Sequence, residues 1–171
     1  EVDAIVHVIR CFSDDDVIHV SGSVDPSRDI EIINLELALS DLNQIEKRRT
    51  RLKKQISTNK EAKLEDDVLE QLTEALENEN AVRSVSLTDE EKKLIKPLGL
   101  LTEKPIIYAT NLGEDELAKG NSFSDEVNTL ATKEGSECVK ISAQVEAELI
   151  ELGEEERDCL LYTSDAADEC S

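Results

Sequence analysis

A chain of 171 residues is long enough to bury a core, either as one domain or as one domain with a small insertion. Its net charge of −21 excludes a surface that wraps a phosphate backbone except through a local basic patch, and its 2% aromatic content makes the core aliphatic. No apolar run reaches the length of a membrane span and no basic-then-apolar leader opens the sequence, so the cytosol is the expected location.

Val2 to Ile9 is β-rich and almost continuously apolar, which predicts a strand covered on both faces, with His7 as a satisfied interior residue. A natural chain rarely begins inside its own sheet, and no Met stands at position 1 or elsewhere. The sequence is therefore expected to be a segment whose N-terminal neighbour precedes Glu1. Asp14, Asp15 and Asp16 must be exposed, since three adjacent buried carboxylates could not all be paired. Val17 to Val20 forms a short apolar segment, and residues 22–26 make a connection.

From Pro26 the period becomes helical. Asp25 suits an N-cap with Pro26 at the first helical position, and Asp29 and Glu31 put negative charge near the positive end of the helix dipole. Leu35, Ala38, Leu42, Ile45, Leu52 and Ile56 recur at spacings of three, four and seven, a coiled-coil-like seam. Ser57, Thr58 and Asn59 interrupt it, and Leu64, Val68, Leu72 and Leu76, with Leu69 beside them, mark a second helix. Two helices and a short turn make an antiparallel hairpin. Lys47, Arg48, Arg49, Arg51, Lys53 and Lys54 then lie opposite Glu61, Glu65, Asp66, Asp67 and Glu70. This pattern fixes register more than it stabilises, and the same basic run is a candidate contact for RNA or another acidic partner. Specific DNA binding is not expected.

Thr88 with Glu91 is a capping box ahead of Leu94 and Ile95, predicting a short helix from Asp89 to Lys96 that ends near Pro97. Pro105 opens the apolar run Ile106 to Ala109, too short for a helix and read as a buried strand ending at Asn111. Open α/β sheets place ligands beyond the carboxyl ends of parallel strands, which makes Asn111 and Glu114 candidates for contacting a bound molecule. Asn starting a turn and Glu starting a helix explain the same residues without a ligand. Beyond them, residues 123–133 have helical spacing stopped by Gly135, and Cys138 to Ile141 makes a further strand followed by an acidic helix. Strand, helix, strand implies a parallel sheet, with Ser142 near Asn111. The four cysteines form no C-x-x-C pair and neither His has a ligand-spaced partner, so no metal site is expected; Cys11 and Cys138 read as small apolar fillers.

Asp3 to Phe12, Gly22 to Glu31, Asn34 to Asp41, Leu100 to Thr102, Lys104-Pro105, Asn111-Leu112-Gly113-Glu114 and Ile141 to Leu149 together resemble the YchF subfamily of Obg-like ATPases, over about residues 1–158. The resemblance implies an α/β fold: part of a P-loop NTPase G-domain parallel sheet with an inserted antiparallel helical hairpin. It implies ATP hydrolysis with Mg²⁺ and association with ribosomes. In ordinary GTPases the fourth motif is Asn-Lys-x-Asp, whose Asp accepts hydrogen bonds from guanine. This family has Asn-x-x-Glu, matched by Asn111 and Glu114, and an Asn amide can donate to N7 and accept from the amino group of adenine. Ser142 and Ala143 match the fifth motif, whose backbone borders the base, and Leu112 is expected against the base's face.

Parts of the family pattern are missing. No G-x-x-x-x-G-K-[ST] loop occurs in the sequence, and in the family that loop, the switch regions and the Mg²⁺-associated Asp precede the residue matching Glu1. No catalytic residue is therefore assigned, and the chain alone is expected to be inactive. From Cys159 onward the sequence leaves the pattern that leads to a TGS domain, and its tail resembles adapter-derived translation. The expected organisation is residues 1–24 and 87–158 as parts of a G domain, 25–86 as the hairpin, and 159–171 as a disordered tail. Two rival readings are a non-enzymatic acidic hairpin module and a GTP-preferring GTPase.

Overall fold

The computed structural model describes residues 2–13 and 24–151; the acidic triplet at 14–16, the apolar segment 17–20 and the tail at 159–171 lie outside them. Three strands, β1 (Ile5–Arg10), β2 (Ile106–Asn111) and β3 (Glu137–Ile141), form a parallel sheet with β2 in the centre. Ile5 pairs with Ile106 and Arg10 with Asn111, while Ile107 pairs with Glu137 and Asn111 with Ile141. Pairing begins at Ile5, whose N–H donates to the Pro105 carbonyl at 3.0 Å, so the strand starts later than its apolar sequence suggests.

The strand is also not covered on both faces as its composition implies. Ile5, His7 and Ile9 face the helices α1 (Pro26–Leu52) and α4 (Ser122–Glu134), where Ile9, Cys11, Ile30, Ile106, Tyr108, Leu112, Val127 and Ala131 form one core. The alternate residues Val6 and Val8 are each 58% exposed, and Val139 on β3 is 44% exposed. A period of two sends every second side chain to the opposite face, and among the described residues no helix covers that face. His7 differs from expectation as well: its ring lies 5.9 Å from Tyr108, but its Nδ1 is buried without a hydrogen-bond partner.

A second core lies in the hairpin. Ile45 and Leu52 of α1 meet Ala62, Val68, Leu69, Leu72 and Leu76 of α2 (Lys60–Glu77), and the helix α3 (Asp89–Ile95) adds Ile95. Local signals set the ends of these helices. The Asp25 carboxylate accepts from the Arg28 N–H, Asn59 caps α2, and Thr88 with Glu91 forms the capping box of α3. Gly135 ends α4 at φ 70°, a conformation glycine adopts without a Cβ clash. The seam departs from its heptad reading at one end: Leu35 is 56% exposed because α1 there lies beside the sheet, and contact with α2 begins further along. At the other end, residues after Leu52 form turns, although Ile56 still packs on the hairpin core.

The two cores are joined by a carboxylate that no sequence pattern announces. Asp41, halfway along α1, is fully buried. Its oxygens accept from the Leu101 and Thr102 N–H groups, each at 2.8 Å, and from the Thr102 hydroxyl at 2.7 Å. Thr102 Oγ1 in turn accepts from the Val82 N–H at 3.2 Å, drawing in the chain that leaves α2. A buried charge persists only when its lone pairs are satisfied. Nearby, the Tyr108 hydroxyl donates to Glu134 at 2.8 Å, and Arg83 approaches the same carboxylate at 3.7 Å. Burial raises the Tyr108 pKa and pushes the Cys11 thiol up to about 12, so Cys11 behaves as an apolar filler.

Asp41→Ala strands three donors and should lower unfolding free energy by about 3 kcal/mol in urea titrations. Burial lowers the pKa of His7 below 6.5, with Asp29 opposing. The unfolded chain therefore binds a proton that the folded chain resists, and stability falls as pH drops through the window just below 6.5. Urea titrations from about pH 7 to about pH 5 should show a smaller acid-side loss in His7→Phe than in the parent chain.

Candidate functional site

The carboxyl ends of the three parallel strands converge on one edge of the sheet, and three short segments leave it there. After β1 the chain passes through Cys11, whose N–H donates to the Asn111 carbonyl at 2.8 Å, to Phe12 and Ser13. After β2 it runs Leu112-Gly113 into a single 3-10 turn, Glu114–Glu116. Beyond β3, Ser142 leads into the helix α5 (Ala143–Glu151). Between them lies an open groove of about 390 Å³ lined by Phe12, Ser13, Gly113, Glu114, Asp115, Glu116 and Gln144.

Asn111 links two of these segments. Its Oδ1 accepts the Ala143 N–H at 2.9 Å, while the Leu112 N–H donates to the Ile141 carbonyl at 2.9 Å. The first bond fixes which way the amide faces, since Oδ1 is the acceptor and Nδ2 remains the donor. Ser142 is buried, and its carbonyl accepts the Glu146 N–H in the first turn of α5. Ala143 and Glu114 are exposed at the edge. Leu112 is placed differently from expectation: it is only 2% exposed and packs in the sheet core with Ile9 and Val127. Its side chain supports the groove from below instead of forming its surface.

The sequence reading missed Phe12 as a lining residue. The signal available was its position just past the carboxyl end of β1, where ligands of open sheets gather. The Arg10 guanidinium stacks over the Phe12 ring at 4.8 Å and its Nε donates to the Phe12 carbonyl, which holds the ring in place. A second missed residue is Asn121, whose side chain donates to the Cys11 carbonyl at 2.6 Å and to Glu116 at 2.9 Å, tying the β1 exit to the 3-10 turn.

The groove's charge limits its chemistry. Glu114, Asp115 and Glu116 line it, and among the described residues no Lys or Arg does. Three carboxylates repel phosphate but tolerate amino and ring N–H donors, so the groove suits a ligand that presents N–H groups in place of anionic oxygens. The six basic residues at 47–54 lie elsewhere, in the last turns of α1 and the turn after it. Arg48 forms a two-pronged pair with Glu65, its Nη2 at 2.7 Å from Oε2, and Arg49 pairs with Asp66 at 2.8 Å and Glu70 at 3.3 Å. Lys47, Arg51, Lys53 and Lys54 are exposed and enter no ion pair among the described residues.

No protein-family model matches the chain. It is 47% identical over 164 residues to the Ribosome-binding ATPase YchF of Bacillus subtilis (strain 168), covering 94% of this chain and 45% of that protein. It is 46% identical over 159 residues to the protein of the same name in Escherichia coli O157:H7, covering 92% of this chain and 44% of that one. The solved structure of the Schizosaccharomyces pombe YchF GTPase superposes with a TM-score of 0.79 at 32% identity, over 95% of this chain and 46% of that one. The chain thus spans a little under half the length of the relatives it matches. Its three parallel strands and inserted hairpin are part of a P-loop NTPase fold, and over nearly its whole length the chain is similar to a little under half of the YchF proteins, which are Obg-like.

Proposed function

We propose that the chain supplies the base-recognition part of an ATP-hydrolysing P-loop NTPase whose full-length form associates with ribosomes. The observation that carries this is the 2.9 Å bond from the Ala143 N–H to Asn111 Oδ1, which joins the Asn-x-x-Glu segment to the Ser-Ala segment at the groove's edge. With its orientation fixed, Asn111 donates from Nδ2 to N7 of a purine. The remaining Oδ1 lone pair then accepts from the 6-amino group of adenine. Guanine presents a carbonyl there, so the same oxygen opposes it. Phe12 offers a ring face for stacking, and Glu114, Ser142 and Ala143 border the base. In this assignment residues 1–24 and 87–158 belong to the nucleotide-binding domain and 25–86 to its hairpin insertion.

Phosphate handling belongs to other residues. Among the described residues no three His, Cys, Asp or Glu side chains converge as a metal site, and no G-x-x-x-x-G-K-[ST] loop occurs in the 171 residues. Mg²⁺ on the β- and γ-phosphates neutralises charge in this class of reaction, and its ligands would come from the part of the family pattern this sequence does not match. ATP is assigned over GTP from the Asn-x-x-Glu chemistry. The alternative has one specific support, the word GTPase in the name of the fission-yeast neighbour.

Titrating the chain with AMP and with GMP should shift the Ala143 amide resonance more with AMP; a larger shift with GMP would support the guanine reading. Glu114→Asp should move the preference toward GMP without disturbing the core, because Glu114 is exposed. Asn111→Ala should abolish the shift, speed hydrogen exchange at the Ala143 amide and cost about 1 kcal/mol of stability. Phosphate release from ATP by the chain alone should equal a no-protein blank; a rate above it that co-purifies with the chain would refute the assignment of phosphate chemistry to other residues.

A further inference from the structure

Asn121 engages more hydrogen-bonding groups than its place in the chain demands. It is the N-cap of α4, a role that needs an acceptor, and its Oδ1 takes the Ser124 N–H at 3.0 Å. Its own N–H donates to Ser124 Oγ at 2.9 Å, which completes the capping box. Ser, Thr and Asp meet the same need. A helix cap is the plain explanation for Asn at this position, and it leaves the amide nitrogen without a task. With Oδ1 fixed as the acceptor, Nδ2 is a donor with two N–H bonds. Both targets lie off the helix: the Cys11 carbonyl at 2.6 Å and Glu116 Oε2 at 2.9 Å.

Those two acceptors belong to opposite sides of the groove. The Cys11 carbonyl shares its peptide group with the N–H of Phe12, which lines one side, and Glu116 lines the other. Glu116 Oε2 also lies 3.9 Å from the position a Cβ on Gly113 would take, so the carboxylate held by Asn121 rests beside the Asn-x-x-Glu segment itself. The acidic side has little of its own to hold it. It is a three-residue 3-10 turn closed by Glu116 N–H to the Gly113 carbonyl at 3.1 Å and Leu117 N–H to the Glu114 carbonyl at 3.3 Å. Its three neighbouring carboxylates repel one another, and a donor on one of them offsets that repulsion through a charge-assisted bond.

Resting on the base-recognition reading above, we infer that Asn121 is a positioning residue for nucleotide binding, its amide holding the Phe12 side and the acidic side of the groove at a set separation. Less chain entropy is then lost when a planar base enters. Asn121 acts through Phe12 and Glu116, and its cap on α4 anchors the brace to the rest of the domain.

The test follows the Ala143 amide resonance of the 171-residue chain during titration with AMP, together with amide hydrogen exchange in the free chain and urea unfolding. Asn121→Ser keeps an acceptor for the Ser124 N–H and the parent net charge, but is too short to reach both sides. AMP affinity should fall about fivefold, and the Glu116 and Leu117 amides should exchange faster while the Asp125 amide of α4 keeps its protection. Ser124→Ala separates capping from positioning: it removes the hydroxyl of the capping box and should lower the urea midpoint while leaving AMP affinity at the parent value. Asn121→Asp retains the cap and sets a carboxylate against two acceptors, so it should weaken AMP binding further than Asn121→Ser. Adding Glu116→Gln returns the net charge to that of the parent and restores one donor–acceptor pair with its direction reversed, which should recover affinity about threefold over Asn121→Asp alone. Parent-like AMP affinity in Asn121→Ser would overturn the inference, as would an equal loss in Ser124→Ala or no recovery in the double variant. If the parent chain shows no shift with AMP, the base-recognition reading fails and exchange alone decides the inference. Faster exchange confined to Glu116 and Leu117 in Asn121→Ser then keeps Asn121 as the brace between the two sides, and unchanged exchange removes it.

Discussion

Strands that lie side by side in parallel cannot be joined by a tight turn, and here β1 and β2 are neighbours with residues 11–105 between them. Everything in the hairpin is housed in that crossover. Closing a loop of this length costs on the order of 4 kcal/mol in chain entropy, and the sheet cannot form until it is closed. Asp41 divides the problem. By binding the backbone at Leu101 and Thr102 it brings the middle of α1 to the segment that enters β2, so the hairpin becomes part of the closure. The price is a fully buried carboxylate, tolerable because three donors meet it.

The edge where Asn111 sits inherits its geometry from this closure. With β2 held centrally, Asn111 is flanked by the exits of β1 and β3, and its backbone and side chain bind one of each: the Cys11 N–H through the carbonyl, and the Ala143 N–H through Oδ1. A single residue therefore registers both neighbours. The acidic 3-10 turn beyond it adds carboxylates on one side and Phe12 a ring on the other, which gives the groove a polar wall and a stacking wall.

Much of this was readable from the residues because the signals were local. Caps at Asp25 and Thr88, the stop at Gly135, the apolar run before Asn111 and the charge pattern across the hairpin depend on neighbours a few residues away or on one facing helix. What escaped depends on distant chain. Asp41 looks like an ordinary helix-surface carboxylate until residue 101 arrives. Leu112, in a motif position, goes to the core because the chain turns there in a way its neighbours do not dictate. Val6 and Val8 read as doubly buried because apolar composition reports a strand's affinity for cover, not whether cover is supplied. His7 was expected to be satisfied, but burial of Nδ1 is decided by packing between β1 and β2. Leu35 kept the heptad spacing and yet lies where α1 has left its partner.

The length of α1 also has a mechanical side. The helix starts with Ile30 in the sheet core, is gripped at Asp41, and ends among the basic residues near Leu52. At about 1.5 Å per residue its 27 residues extend roughly 40 Å. It is a lever gripped near its middle, with about 22 Å on the sheet side of Asp41 and about 16 Å on the outer side. A tilt of about 5° about that grip moves the outer end by about 1.4 Å, so a displacement at the sheet is carried through the same rigid helix to the far end of the hairpin.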